Sequence, residues 1–460
     1  MMRHSGSQKI LFKEKERIKF MKCLIIAAGR GKRISSRGDS KPLVPLLGLS
    51  LIERVILTAK NAGLTDFYVV TGYNGDKVRH YLSRFSQRKN IHITHITNDE
   101  WEKENGISVL KTKNLLNKNF ILLMTDHIFD ESILVKLKNE KIADGEVMLT
   151  VDYNINKNKL VDVNDVTRVL VKDNRILDIG KNIKNYNAYD TGIFLCSPAL
   201  FRAIEESLHN GDSSISGGIR VLASKGKAKA FDIKDAYWID VDNEKTFKKA
   251  EKKLLDTLKK TSDGPISRHL NRPLSTRITR YLLRTDITPN HVSFFSFILA
   301  MVGALFFFFG GYSNLVIGAL LAQAASVIDG CDGEIARLKF QVTEFGGWFD
   351  AVLDRYADAF LLFGLTYYVY INNRDISTLF IGFLAIIGTF MNSYTADKYD
   401  GLMKRRLKPG KYYFRLGRDV RMFIIFVGAL LNQPLIVLVV IALLMNAENA
   451  RRIVVLHKNG

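Results

Sequence analysis

The chain has 460 residues and carries 67 Lys and Arg against 46 Asp and Glu, a formal net charge of +21. That length suits two or three domains. The charge invites nucleic acid, but no zinc-ligand spacing or basic-aromatic recognition stretch is present, and an anionic membrane surface plus phosphate ligands explains it at least as well. The 3 cysteines, Cys23, Cys196 and Cys331, are scattered and odd in number, which excludes a disulfide framework or a CxxC site. The working parts are therefore expected to face a reducing cytoplasm.

Residues 1–20 mix basic and acidic side chains without an apolar core of signal-peptide length and read as an N-terminal extension. The regular pattern begins at Met21. A short apolar run ends in Ala28, Gly29, Arg30, Gly31, Lys32 and Arg33, followed by a loop that reaches Lys41, Pro42 and Pro45. A strand entering a glycine-rich turn leaves backbone N–H groups free to cradle phosphates, and Arg33 and Lys41 can neutralise them. The two prolines argue against a simple Rossmann turn, in which the helix starts at once.

A helix is predicted from Leu51 to Ala62, strands at 66–71 and 91–96, a helix near 76–85, and a buried-type strand at 120–124 ending in Thr125, Asp126 and His127. This alternation predicts an α/β domain with a mostly parallel, Rossmann-like sheet. Ligands bind outside the carboxyl ends of such strands, where the glycine loop and Asp126 both fall. Lys181 follows Gly180, and Trp238 to Asp242 ends another strand with two carboxylates. Strand-end Asp residues beside a Gly, Arg and Lys phosphate loop suit Mg²⁺-assisted nucleotidyl transfer.

Over residues 21–255 this constellation resembles the sugar-phosphate nucleotidyltransferases, on A-A-G-x-G-x-R, on K-P-L-x-P-x-x-G from Lys41 to Gly48, and on Asp126, Lys181 and Asp240. The resemblance implies that Ala28, Gly29, Gly31, Arg33 and Lys41 hold the nucleotide phosphates. It further implies that Asp126 and Asp240 bind Mg²⁺ and that Lys181 meets the incoming polyol phosphate. The last motif offers Asp242 as well as Asp240, so the second ligand stays open between them. Asn98, Asn105 and Ser108 lie where related enzymes grip the nucleotide or substrate, with a solvated loop as the equal alternative. Asp190 to Gly192 resembles the acceptor-side stretch.

Residues 256–285 read as a linker and a basic amphipathic helix. Arg268, Arg272, Arg277, Arg280 and Arg284 interleave with Leu270, Leu274, Ile278, Tyr281 and Leu282, a pattern too polar to span and expected to lie in the membrane interface. Six all-α transmembrane spans are predicted in residues 286–460: to about 309, then near 313–336, 345–371, 377–397, 417–432 and 434–455. The fifth and sixth have one kinked span as their alternative. Six spans place Arg337, Lys339, the basic run from Lys404 to Arg418, and Arg451 and Arg452 on one side; by the positive-inside rule that side is cytoplasmic.

Within this half, Asp329, Asp332, Gly333, Ala336 and Arg337 share one helical stripe, and Asp350 and Asp354 are one turn apart further on. Four carboxylates at the ends of apolar runs repel one another unless cations lie between them, and divalent ions with oxygen ligands meet that need. Arg337 adds a positive fork for phosphate. The stretch matches D-x2-D-G-x2-A-R-x8-G-x3-D-x3-D without a departure and so resembles the CDP-alcohol phosphotransferases. That resemblance implies a two-metal centre with Asp329, Asp332 and Asp350 as ligands, and Asp354 as ligand or as the base that deprotonates the acceptor hydroxyl. It also implies cytidine near Gly333 and Ala336. Arg415, Arg418 and Arg421 fall on one helical face and form either an acceptor-phosphate pocket or topogenic charge.

One half that makes a CDP-alcohol, fused to one that consumes it, resembles the bifunctional family that pairs an inositol-1-phosphate cytidylyltransferase with a di-myo-inositol phosphate phosphate synthase. That family implies CTP, inositol 1-phosphate and CDP-inositol as substrates, with Mg²⁺ (Mn²⁺ as the alternative) at both sites, and a compatible-solute product. A CDP-diacylglycerol phospholipid synthase and another polyol phosphate are the competing readings. Membrane lipids are expected partners, nucleic acid is not, and a homodimer through the membrane domain is expected.

Overall fold

The computed structural model describes residues 21–259, 264–406 and 417–458. The N-terminal extension and Arg415 lie outside them. The chain forms two compact units, Met1–Lys253 and Leu254–Gly460.

In the first unit the strands are β1 (Lys22–Ala27), β2 (Pro45–Leu46), β3 (Leu49–Ser50), β4 (Asp66–Thr71), β5 (His92–Thr97), β6 (Phe120–Met124), β7 (His127–Phe129), β8 (Val147–Asp152), β9 (Arg168–Lys172), β10 (Arg175–Gly180), β11 (Ala188–Cys196), β12 (Ala228–Asp232) and β13 (Trp238–Asp240). Nine of them form one sheet in the order β5-β4-β1-β6-β11-β8-β12-β10-β9. Strands β5, β4, β1 and β6 are mutually parallel, as the β-α alternation requires. Cys23, Leu24, Ile25, Val69, Val70 and Leu122 are all sealed from solvent, the sign of strands covered on both faces. Beyond β6 the sheet is mixed: β11 runs antiparallel to β6 and β8, and β12 returns parallel to β8. The strand directions there are mixed although helices still connect β11 to β12, which the apolar runs of the sequence do not distinguish.

Helix α1 (Leu51–Asn61) starts at a capping box, with Ser50 and Glu53 each satisfying the other's backbone N–H. Further helices are α2 (Gly75–Lys89), α3 (Asn105–Leu110), α4 (Glu131–Leu137), α5 (Ala199–His209), α6 (Ile215–Ser224) and α7 (Glu244–Asp256). Apart from the main sheet, β13 pairs antiparallel with β7 in a short ribbon that sets Asp240 opposite His127.

In the second unit a π-helical turn, Ser267–Asn271, leads into α8 (Arg272–Leu282). This is the expected amphipathic stretch, but the stripe it buries is polar: Asn271, Ser275 and Thr279 are buried, whereas Leu274 and Tyr281 are exposed. The buried stripe meets Glu334, itself sealed from solvent, which accepts from Arg272 (2.7 Å), Ser275 (2.6 Å) and Thr279 (2.7 Å). A buried carboxylate is tolerable only when it is bonded in this way.

Six helices follow: α9 (Pro289–Phe308), α10 (Tyr312–Leu338), α11 (Glu344–Asn373), α12 (Ser377–Arg406), α13 (Arg418–Leu430) and α14 (Pro434–Lys458). Among the described residues four helices are long and apolar enough to cross a membrane, namely Pro289–Phe308, Tyr312–Leu338, Ser377–Ala396 and Pro434–Val455. Helix α13 has 13 residues, about 20 Å at the helical rise, short of a hydrocarbon core of about 30 Å. Small residues let the helices close on each other. A Cβ on Gly318 would lie 2.6 Å from the Gly303 carbonyl oxygen, and one on Gly364 would lie 2.8 Å from that of Ala304, so α10 and α11 both press against α9.

Candidate active sites

In the soluble unit the glycine loop leaves β1 and turns at Gly31, whose positive φ of 64° caps the 3₁₀ turn Lys32–Arg37. Its close approach to Lys41, whose side chain a Cβ on Gly31 would overlap, leaves room only for glycine. Gly29 is exposed, and Ala28 accepts from the Tyr73 N–H at 3.0 Å.

Lys41 is buried and donates to Asp126 at 2.5 Å and to Asp242. Arg33 pairs with Asp165 at 2.5 Å and also with Asp242, and Lys181 pairs with the same Asp165 at 2.7 Å. The three cations expected to meet phosphates are therefore held together by two carboxylates, Asp165 and Asp242. Burial opposes the charge on Lys41, but Asp126, Asp240 and Asp242 outweigh it and hold its affinity for the proton above the ordinary value. Burial likewise resists ionisation of Asp165, and Lys181 and Arg33 overcome it, down to about 2.

Asp126, His127 and Asp240 converge with ligand atoms within 4.8 Å of one another. Burial pushes Asp240 up to about 7, with Asp126 and Asp242 adding to it against His127 and Lys41. Asp126 is half-buried, and although desolvation works against its charge, Lys41 and His127 hold it below the usual carboxylate range. His127 is raised in turn: burial works against its charge, and Asp240 and Asp126 prevail. A buried Asp240 oxygen has no hydrogen-bond partner, so the donor set fits a divalent cation, which would satisfy that oxygen and relieve the carboxylate repulsion. Asp242, the open alternative, is taken up by Lys41 and Arg33.

A cavity of about 210 Å³ opens on this cluster, lined by Asp126, Lys181, Asp190, Gly192, Asp240 and Asn105, among others. Asn98 does not line it; its amide donates to Ser108 at 2.9 Å inside the fold. Burial lifts Asp190 to about 6.

In the helical unit Asp329 and Asp332 on α10 and Asp350 on α11 bring their oxygens within 4.8 Å of one another. Helix α9 supplies Ser293, which donates to Asp332, and Ser296, which donates to Asp329 at 3.2 Å. One oxygen of Asp350 is buried without a hydrogen-bond partner, so this triad too has the character of a hard-cation site. Gly333 lies beside Arg337, whose guanidinium a Cβ would meet at 3.2 Å.

Asp354 is paired with Arg418, and the same guanidinium nitrogen also reaches Asp329 of the triad at 2.9 Å, while the Arg418 Nε lies 3.4 Å from Asp358. Arg421 pairs with Asp358 at 2.5 Å. Both described members of the expected arginine set thus face carboxylates.

Sequence reasoning passed over His127, Asp165, Ser293, Ser296, Glu334 and Asp358. Only Asp358 had a local signal, as the next turn in the series Asp350, Asp354, Asp358.

Residues 286–447 match the CDP-alcohol phosphatidyltransferase family and residues 23–216 the MobA-like NTP transferase domain. A Rubrobacter xylanophilus protein named bifunctional IPC transferase and DIPP synthase is 34% identical over 447 residues, covering 94% of this chain and 96% of its own. The chain belongs to that family. A second bifunctional IPC transferase and DIPP synthase, from Aquifex aeolicus, is 31% identical over 92% of this chain and 95% of its own. A solved inositol-1-phosphate CTP transferase from T. maritima aligns with 50% of this chain and 95% of its own at 25% identity and a TM-score of 0.45. The family is one of transferases, and the two resemblances read from the motifs, nucleotidyltransferase and CDP-alcohol phosphotransferase, are both borne out.

Proposed function

We propose that the soluble unit converts CTP and inositol 1-phosphate to CDP-inositol and pyrophosphate. The helical unit then transfers inositol phosphate from CDP-inositol to a second inositol 1-phosphate, giving di-myo-inositol phosphate phosphate and CMP. The observation that carries this reading is the collinear similarity to the bifunctional family across both units, each with a carboxylate cluster flanked by basic side chains.

In the first reaction a phosphate oxygen of inositol 1-phosphate attacks the α-phosphorus of CTP and pyrophosphate leaves. Arg33 and Lys41 neutralise the nucleotide phosphates and Lys181 the incoming phosphate, so catalysis is mainly positioning and charge compensation. Asp126 and Asp240 would hold Mg²⁺, which supplies Lewis-acid polarisation of the phosphoryl oxygens when bound.

In the second reaction the acceptor hydroxyl attacks the β-phosphorus of CDP-inositol, Asp354 takes its proton, and CMP departs. Asp329, Asp332 and Asp350 would hold two Mg²⁺ ions on the diphosphate, with Asp354 as their further candidate ligand, and Arg337, Gly333 and Ala336 border the nucleotide. Arg418 holds Asp354 until an acceptor phosphate competes for the same guanidinium, so the charge of the acceptor itself frees the base.

The charge pattern supports a multi-pass protein with the amphipathic helix α8 in the interface among membrane lipids and both active sites on the cytoplasmic side; six spans would require the short α13 to be completed by residues outside those described. Domain limits at residues 21–255, 256–285 and 286–460 and a homodimer through the membrane domain belong to the same proposal.

Phosphorus NMR of the purified protein with CTP, Mg²⁺ and inositol 1-phosphate tests it. Pyrophosphate, CMP and a new phosphodiester are expected together. Turnover of CDP-diacylglycerol in place of CDP-inositol would overturn the second step.

A further inference from the structure

We propose that His127 is a third protein ligand of the divalent ion in the soluble unit, a role that rests on the nucleotidyl-transfer reading above. His127 begins β7 directly after Asp126, and the β7–β13 ribbon places it in register with Asp240. Two carboxylates and one imidazole thus reach a single point from two strands.

The ring is oriented for ligation. Its Nδ1 lies 2.7 Å from the Thr191 carbonyl oxygen, which can only accept, so Nδ1 carries a proton and the lone pair of the neutral ring sits on Nε2. Nε2 lies 3.8 Å from an oxygen of Asp126 and 3.8 Å from one of Asp240. Those separations are too long for hydrogen bonds. Two donors each about 2.1 Å from one ion stand about 3.0–3.4 Å apart at octahedral to tetrahedral angles, so Nε2 needs to close on each carboxylate oxygen by about 0.4–0.8 Å.

The backbone fixes the ring against Gly192, which has φ +71°; a Cβ there would lie 2.2 Å from Nδ1. Trp238 packs nearby, with ring centroids 5.9 Å apart.

A ring nitrogen moves metal preference away from Mg²⁺, which takes oxygen donors, toward Mn²⁺ and its borderline neighbours. His127→Gln is accordingly expected to weaken Mn²⁺ binding at this site by about tenfold or more while changing Mg²⁺ binding less.

The test is pulsed EPR of the full chain in detergent loaded with Mn²⁺, with CDP-inositol formation measured on the same sample. A ¹⁴N coupling is expected in the wild type, absent from His127→Gln, and converted to a ¹⁵N pattern when histidine is ¹⁵N-labelled. The labelling needs no variant and so does not depend on how the substitution folds. No nitrogen coupling, or a coupling that survives His127→Gln, overturns the proposal even if CDP-inositol forms normally. Failure to form CDP-inositol with a histidine coupling present would instead remove the functional reading and leave the ligand set standing.

Discussion

The helical unit draws its three clustered carboxylates from two consecutive helices, whereas the soluble unit draws its cluster from strand ends far apart in the sequence. On α10, Asp329 and Asp332 are one turn apart, and a short loop brings α11 back with Asp350. In the soluble unit, Asp126 meets Asp240 only because β13 returns to pair with β7. The way each site manages repulsion differs as well. Around Asp126 and Asp240 the neutralising groups are Lys41 and His127, with Arg33 and Lys181 drawn in through Asp165 and Asp242. Around the helical triad, the guanidinium of Arg418 and the hydroxyls of Ser293 and Ser296 are among the groups that do that work.

The largest expected effect separates the two sites. Asp354→Asn should reduce inositol-phosphate transfer by about 10²–10⁴-fold, the usual worth of a general base, while CDP-inositol formation continues; CMP release against pyrophosphate release in one sample measures both. Retained transfer would remove Asp354 as the base.

Within the soluble unit, Asp240→Asn should cost far more CDP-inositol formation than Asp242→Asn, at least about tenfold more, because losing a ligand costs more than losing a supporting charge. Titration of Mn²⁺ into each variant, read alongside the rates, distinguishes the two residues; equal losses of metal affinity would assign both as ligands.

Gly192→Ala probes the network rather than the chemistry. The added Cβ collides with the His127 ring and sits at a positive φ, so destabilisation of about 1–3 kcal/mol is expected. The soluble unit should melt earlier in calorimetry, with the helical unit unchanged.

The smallest effect has the opposite sign. Asp165 holds both Arg33 and Lys181, so Asp165→Asn should free Lys181 and leave Arg33 on Asp242 alone, lowering the KM for inositol 1-phosphate by about two- to fivefold, the scale of a partly exposed ion pair, and that for CTP by less. Asp162→Asn, in the same loop without those partners, is the control. A raised KM would show that Asp165 positions the cations rather than competes for them.

The helical centre was almost wholly legible in the sequence, since helical periodicity is local: positions three and four apart share a face whatever the rest of the chain does. The spacing from Asp329 to Asp354 therefore announced a carboxylate cluster. What it did not contain was the partner of each carboxylate, because Ser293, Ser296 and Arg418 come from other helices. The count of spans shows the same limit, since polar side chains buried between helices lower the apolar signal of α11, as with Asp358.

In the soluble unit the sequence by itself determined the β-α alternation, the glycine turn after β1 and the strand-end placement of Asp126 and Asp240, all products of hydrophobic period and glycine chemistry. Only the tertiary structure decided that His127 joins those carboxylates, that Asp242 serves Lys41 and Arg33, and that α8 buries its polar stripe on Glu334. Each of these depends on which segments return to meet each other, and that is set by the packing of the whole sheet or bundle rather than by any neighbouring residue.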